Sequence, residues 1–118
     1  MKFERELLKG VAPMAVLELL SREPMYGYQL SEQLELRSGD VLTMGRGTLY
    51  PLLYNLEAKG FVTSDEREAE SGRRRRYYII TDKGRKQLAN ARAEWDQLQA
   101  GLGNLFGSAG KAKRGAGA

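Results

Sequence analysis

The chain has 118 residues, enough for one domain with a single modest core that its 42% hydrophobic content can fill. It contains no cysteine and no histidine, which excludes disulfides, thiolate chemistry and the commonest transition-metal ligand and argues against catalysis near neutral pH. The formal net charge of +4 is smaller than the charge of Arg73, Arg74, Arg75, Arg76, Lys111, Lys113 and Arg114 together, so the basicity is local and points to a polyanionic partner.

The first residues, Met1-Lys2-Phe3-Glu4-Arg5-Glu6, mix acid and base and lead into no long apolar run. Neither a secretory signal nor a membrane span is expected, and a cytoplasmic protein is. Phe3, Leu7, Leu8 and Val11 recur at helical spacing, as a separate short helix or as an extension of the next one, with an apolar face suited to a partner. Pro13 fits the first turn of a helix whose Met14, Val16, Leu17, Leu19 and Leu20 are too apolar for a surface position. Pro24 ends that section by pushing Glu23 out of helical geometry. A second helix is predicted from about Tyr26 to Arg37, with Tyr26, Leu30 and Leu34 in one stripe, and Ser38-Gly39-Asp40 closes it as a turn.

Val41 to Met44 reads as short and extended. Beyond Gly45-Arg46-Gly47, the residues Leu49, Leu52, Leu53 and Leu56 follow the i, i+3, i+4, i+7 pattern of an amphipathic helix that Gly60 caps. Pro51 interrupts it. Either Gly47, without a side chain, accommodates the proline ring four residues on, or the helix begins at Leu49 with Pro51 in its first turn. Phe61 to Ser64 opens a β-hairpin, Glu68 to Gly72 forms its tip, and Arg74 to Ile80 returns as the second strand, carrying the arginine run into Tyr77-Tyr78-Ile79-Ile80. Thr81 or Asp82 caps a last helix with Leu88, Ala91, Trp95, Leu98, Leu102 and Leu105 on a heptad-like seam. Gly101 and Gly103 weaken its end by roughly 1 kcal/mol each relative to alanine. From Gly107 to Ala118 no large apolar residue occurs, and a disordered basic tail is expected.

The expected fold is mainly α with a β-hairpin wing, in three parts. Residues 1–80 form a winged helix-turn-helix DNA-binding domain, residues 81–106 a dimerisation helix and residues 107–118 the tail. Tyr26-Gly27-Tyr28-Gln29-Leu30, Gly47-Thr48-Leu49-Tyr50-Pro51-Leu52-Leu53, Leu56-Glu57-Ala58-Lys59-Gly60 and Arg75-Arg76-Tyr77-Tyr78-Ile79-Ile80-Thr81-Asp82-Lys83-Gly84-Arg85 resemble, in that order, the signature segments of the PadR family of transcriptional regulators, in its subgroup with a short C-terminal helix. Arg46 and Arg76 depart from it, standing where relatives often carry a small or uncharged residue and a lysine, so an operator sequence is not transferable. The resemblance implies a homodimer built through the first and last helices, repression at promoters and, in some members, release by a small molecule.

A cationic hairpin beside an amphipathic helix suits a phosphate backbone and a major groove of double-stranded DNA, with an inverted repeat expected for a dimer. Tyr50 and Tyr54 are offset from the leucine stripe, so one or both should face outward. Thr48, Tyr54 and Asn55 are then the candidates for the groove. Arg46, Arg73, Arg74, Arg75 and Arg76 suit phosphates or the adjacent minor groove. The duller reading of the arginine run is a solvated surface that discourages edge pairing. Phe3, Leu7, Leu8, Leu88, Trp95, Leu98 and Leu102 are the candidates for dimerisation. Trp95 packs there as dimer core or, in the sharper reading, pairs with its counterpart to stack a flat aromatic effector. No separate sensor domain follows the wing in this sequence, so any effector is expected at that seam. Neither a catalytic constellation nor a cofactor motif is visible, and the competing class is a winged helix that binds proteins, which calls for an apolar or acidic recognition face.

Overall fold

The computed structural model describes residues 5–107, and Phe3 and the basic tail from Ser108 lie outside them. Helix α1 spans Arg5–Leu20 as one continuous element with Pro13 inside it, so the segment around Leu7 and Leu8 extends that helix and Pro13 does not start it. The bond that Pro13 forfeits is the one to the carbonyl of Lys9, on an exposed stretch of helix where water can take its place. Further along, Val16, Leu17, Leu19 and Leu20 are buried, as their density predicts, together with Ala12, while Met14 is only half-buried.

Met25–Tyr26 forms a two-residue strand, β1, which periodicity cannot reveal because two residues show no alternation. Helix α2, Gly27–Arg37, follows directly, burying Leu30 and Leu34. Tyr26 is thus not in the helical stripe; it is the extended residue at the helix entry, and its N–H donates to Gln29 Oε1 at 3.4 Å. The turn after α2 places Gly39 and Asp40 in the left-handed region, at φ 65° and 67°. Val41 to Met44 forms no strand. The segment is held instead by Ser38 Oγ, which accepts the Leu42 N–H at 2.8 Å, and by Ser31 Oγ, which donates to the carbonyl of the buried Met44 at 2.8 Å.

Helix α3 runs Arg46–Ala58 with Gly45 at its N-cap, so it starts ahead of Gly47 and holds Pro51 within it; a Cβ at Gly47 would meet nothing within 4 Å, so the missing side chain is not what accommodates the proline ring. At its end the Gly60 N–H donates to Glu57 O and the Phe61 N–H to Leu56 O, with Gly60 at φ 81°, a Schellman closure. The wing follows as β2, Val62–Glu68, and β3, Arg74–Ile80, so the first strand opens one residue after Phe61 and runs on through Glu68, and the tip, residues 69–73, lies one residue later than expected. The sheet order is β1-β3-β2, antiparallel throughout, with Val62 opposite Ile80, Ser64 opposite Tyr78 and Glu66 opposite Arg76.

Helix α4 spans Asp82–Phe106. Thr81, not Asp82, is its cap. The Thr81 hydroxyl accepts the Gly84 N–H at 3.0 Å and donates to the Gly60 carbonyl at 2.7 Å, joining the end of α3 to the start of α4. Gly101 and Gly103 do not interrupt the helix, which closes at Gly107 with φ 65°. The described residues up to Leu88 form one compact unit around a core that includes Leu17, Leu30, Leu49, Leu53, Met25, Val62 and Ile80, and those from Ala89 form a second. Leu88 is 7% exposed and belongs to that core, so it is not part of an open seam.

Gly84 faces the Phe61 carbonyl so closely that a Cβ there would overlap backbone, with Ile80 also in the way. Gly84→Ala is expected to destabilise the fold by about 1–3 kcal/mol, as overpacking does, seen as an earlier midpoint in chemical denaturation. A midpoint equal to the wild type would show that the α3–α4 junction is looser than its geometry implies.

Candidate nucleic-acid interface

The three leucines Leu49, Leu53 and Leu56 bury one side of α3, and helical periodicity leaves the remaining positions outside. Arg46, Thr48, Tyr54 and Asn55 are all exposed, Tyr54 at 73%. At 100° per residue, Thr48 and Asn55 fall on one flank of the outer face, Pro51 and Tyr54 near its centre, and Tyr50 and Glu57 on the other flank. Tyr50 also reaches outward, but its hydroxyl rests against Gly27 at the start of α2, where any side chain larger than hydrogen would displace it. The exposed positions of α3 and its cap carry Arg46, Glu57 and Lys59, so the surface is polar with a small basic excess, neither apolar nor acidic as a protein-binding winged helix would require.

The wing divides its arginines between two faces, because successive residues of a strand point in opposite directions. Arg74 and Arg76 share the face of Tyr78 and Ile80, which packs toward α3. On it Arg76 Nη1 donates to Ser64 Oγ at 2.9 Å, Ser64 Oγ donates to Glu57 Oε2 at 2.9 Å, and Arg74 Nε lies 3.5 Å from Glu66 Oε1. Tyr78 sits under this group. Burial pushes its hydroxyl above the ordinary value of 10.0, with the Arg76 guanidinium opposing and Glu57 and Tyr50 adding to the rise.

Arg75 points to the opposite face and is half-buried. Its guanidinium lies 4.3 Å from the Tyr26 ring centroid, Tyr26 meets Tyr77 edge-on at 5.4 Å, and Arg67 lies 5.5 Å over Tyr77 while donating to Asp65. The Nε of Arg75 is buried with no hydrogen-bond partner. Arg75 therefore does not share a face with Arg74 and Arg76, so the run from Arg73 to Arg76 does not offer four equivalent phosphate contacts, as the sequence alone suggested. Strand alternation would have separated it from Arg74 and Arg76, but only the pairing of β1 with β3 brings Tyr26 beneath it. Arg73 lies in the exposed tip, outside the strand. Glu57 and Ser64 were not among the expected site residues, since no local pattern links a helix carboxylate to a strand hydroxyl seven residues away.

The residues expected at a subunit seam divide similarly. Leu7 is exposed and Leu8 half-buried on α1. In the second unit Trp95, Leu98 and Leu102 are 41%, 55% and 39% exposed on α4. Among the described residues no group of histidine, cysteine, aspartate or glutamate could hold a metal ion, and no helix is long and apolar enough to cross a membrane.

Three helices, a two-stranded wing and a polar outer face with a small basic excess on the third helix define a winged helix-turn-helix protein of the DNA-binding kind. The family model of the transcriptional regulator PadR-like family matches residues 16–90. A transcriptional regulator of Mycobacterium tuberculosis is 33% identical over 94 residues, covering 80% of this chain and 84% of that protein. Among solved structures, a PadR family transcriptional regulator from Eggerthella lenta is 38% identical with a TM-score of 0.74, covering 86% of each chain. A PadR-like transcriptional regulator from Bacillus cereus is 32% identical with a TM-score of 0.76, covering 86% of this chain and 96% of that one. The chain belongs to the PadR-like family. It is a DNA-binding transcriptional regulator and not an enzyme.

Proposed function

We propose that the protein is a homodimeric, cytoplasmic repressor that places α3 of each subunit in a major groove of an inverted-repeat operator. The observation that carries this reading is the exposed face of Thr48, Tyr54 and Asn55 on a helix whose Glu57 flank is joined through Ser64 to a wing that carries Arg73, Arg74 and Arg76. Thr48, Tyr54 and Asn55 read base edges, while Arg46 and the wing arginines bind phosphates or the adjacent minor groove. Arg75 adds less, because its guanidinium already stacks on Tyr26.

Dimerisation is supported by large apolar side chains that neither compact unit covers, namely Leu7 on α1 and Trp95, Leu98 and Leu102 on α4. Phe3 is proposed as a further dimer contact, while Leu88, a core residue, is not. Two copies of Trp95 brought together across a two-fold axis would form an apolar slot for a planar aromatic effector. Recognition helices must reach successive major grooves about 34 Å apart, so a ligand that altered their spacing would release the operator. Such coupling is typically worth about 1–3 kcal/mol.

Leu98→Asp is expected to convert a dimer at micromolar concentration to monomers in sedimentation velocity, and a monomeric wild type would remove the dimer from the proposal. Arg74→Ala should weaken binding to all duplexes alike and make the salt dependence shallower by about one unit per lost phosphate contact per subunit, with a smaller change for Arg75→Ala. Asn55→Ala should change the sequences recovered in a binding-site selection, and an unchanged selection would take Asn55 out of the readout. Planar aromatic compounds that quench the fluorescence of Trp95, the sole tryptophan, are expected to lower operator affinity as well. Quenching without such a loss would leave Trp95 as packing alone.

A further inference from the structure

The wing arginine nearest α3 is already engaged before any DNA arrives. Arg76 Nη1 donates to Ser64 Oγ at 2.9 Å, and the same hydroxyl donates its single proton to Glu57 Oε2 at 2.9 Å. The relay has a direction, from guanidinium to hydroxyl to carboxylate, and it crosses from the wing to the recognition helix. Glu57 lies on the flank of α3 that faces β2, away from Thr48 and Asn55, so its carboxylate does not occupy the face offered to bases. Glu57 also contributes to the raised pKa of Tyr78 beneath it, which places its charge beside the packed root of the wing.

We propose that Glu57, acting through Ser64, is a specificity-determining positioning residue that ties the phosphate contact of Arg76 to the register of α3. The inference rests on the DNA-binding reading above. A free arginine at the end of a wing meets any phosphate it reaches, and contacts of that kind supply most of non-specific binding. Held by a hydroxyl and a carboxylate anchored on β2 and α3, Arg76 has one position relative to the base-reading face. It meets a phosphate in that position when α3 is seated in the groove, and elsewhere it must first leave the relay. All three side chains are at least partly open to solvent, so the hold biases the arginine without locking it.

The test uses the full chain and two probes, a random-sequence duplex and a duplex recovered by selection with the wild type. Glu57→Gln and Ser64→Ala are each expected to raise affinity for the random duplex by about two- to fivefold per subunit. The gain on the selected duplex should be smaller, so the ratio of the two affinities falls. Ser64→Thr keeps the hydroxyl and should keep the wild-type ratio. In an Arg76→Ala background, Glu57→Gln should have no further effect, because the side chain it positions is gone. Circular dichroism melts close to the wild type are expected for every variant, since no buried apolar contact is removed. The same gain from Glu57→Gln with and without Arg76 would mean that the carboxylate is only a general repulsive charge, and the proposal would be overturned. An unchanged affinity ratio in both single variants would overturn it as well. If the wild type binds neither duplex in a salt-dependent way, the DNA-binding reading falls first and this inference falls with it.

Discussion

The seating of α3 on the core by Leu49, Leu53 and Leu56 is the constraint on which the functional surface depends, because burying one side of a helix dictates what its other side can offer. Each of these side chains gains roughly 1.5–3 kcal/mol from leaving water, far more than any exposed polar contact on the same helix. With the inner side fixed, Thr48, Tyr54 and Asn55 have no direction left but outward. Pro51 is tolerated because its missing bond is to Gly47, on the exposed first turns of the helix. The Schellman closure at Gly60 then stops the helix where the wing must begin, and it leaves Phe61 aligned to enter the sheet.

At the root of the wing, one hydroxyl bridges two helix ends. Thr81 Oγ1 donates to the carbonyl of Gly60 and accepts the N–H of Gly84, so the C-terminus of the recognition helix and the N-terminus of the last helix are joined through one side chain. Lys83 reinforces the junction by donating to the Lys59 carbonyl at 2.8 Å. The wing is clamped between these two ends. Its direction relative to α3 is therefore set by backbone geometry near its root, while the relay of Arg76, Ser64 and Glu57 orients the arginine nearest the root on β3.

The two faces of the wing have different chemistry for the same reason that a strand has two faces. On the side toward α3, arginines meet carboxylates and a hydroxyl, interactions that phosphate oxygens can replace. On the far side, Arg75 and Arg67 lie over the rings of Tyr26 and Tyr77, and Arg67 also pairs with Asp65, so Arg75 is the member of the run held by an aromatic ring. A run of four identical residues thus contains cations of two kinds, and substitutions along it are not equivalent.

The sequence by itself determined the helices with strong 3.6-residue periodicity, the hairpin, the left-handed cap at Gly60, the outward direction of Thr48, Tyr54 and Asn55, and the absence of histidine and cysteine chemistry. These follow from a residue's relation to its own element, which spacing along the chain encodes. The signature segments added the family. Only the tertiary structure decided that Met25–Tyr26 is a strand, that Tyr26 lies under Arg75, that Leu88 belongs to the core and that Glu57 reaches Arg76 through Ser64. Each of those depends on which elements become neighbours and in what register, and two residues of strand or a single hydroxyl carry no periodic signal of their partner. Where α3 begins was likewise open in the sequence, because a proline and a glycine four apart fit either start, and the Gly45 cap settled it.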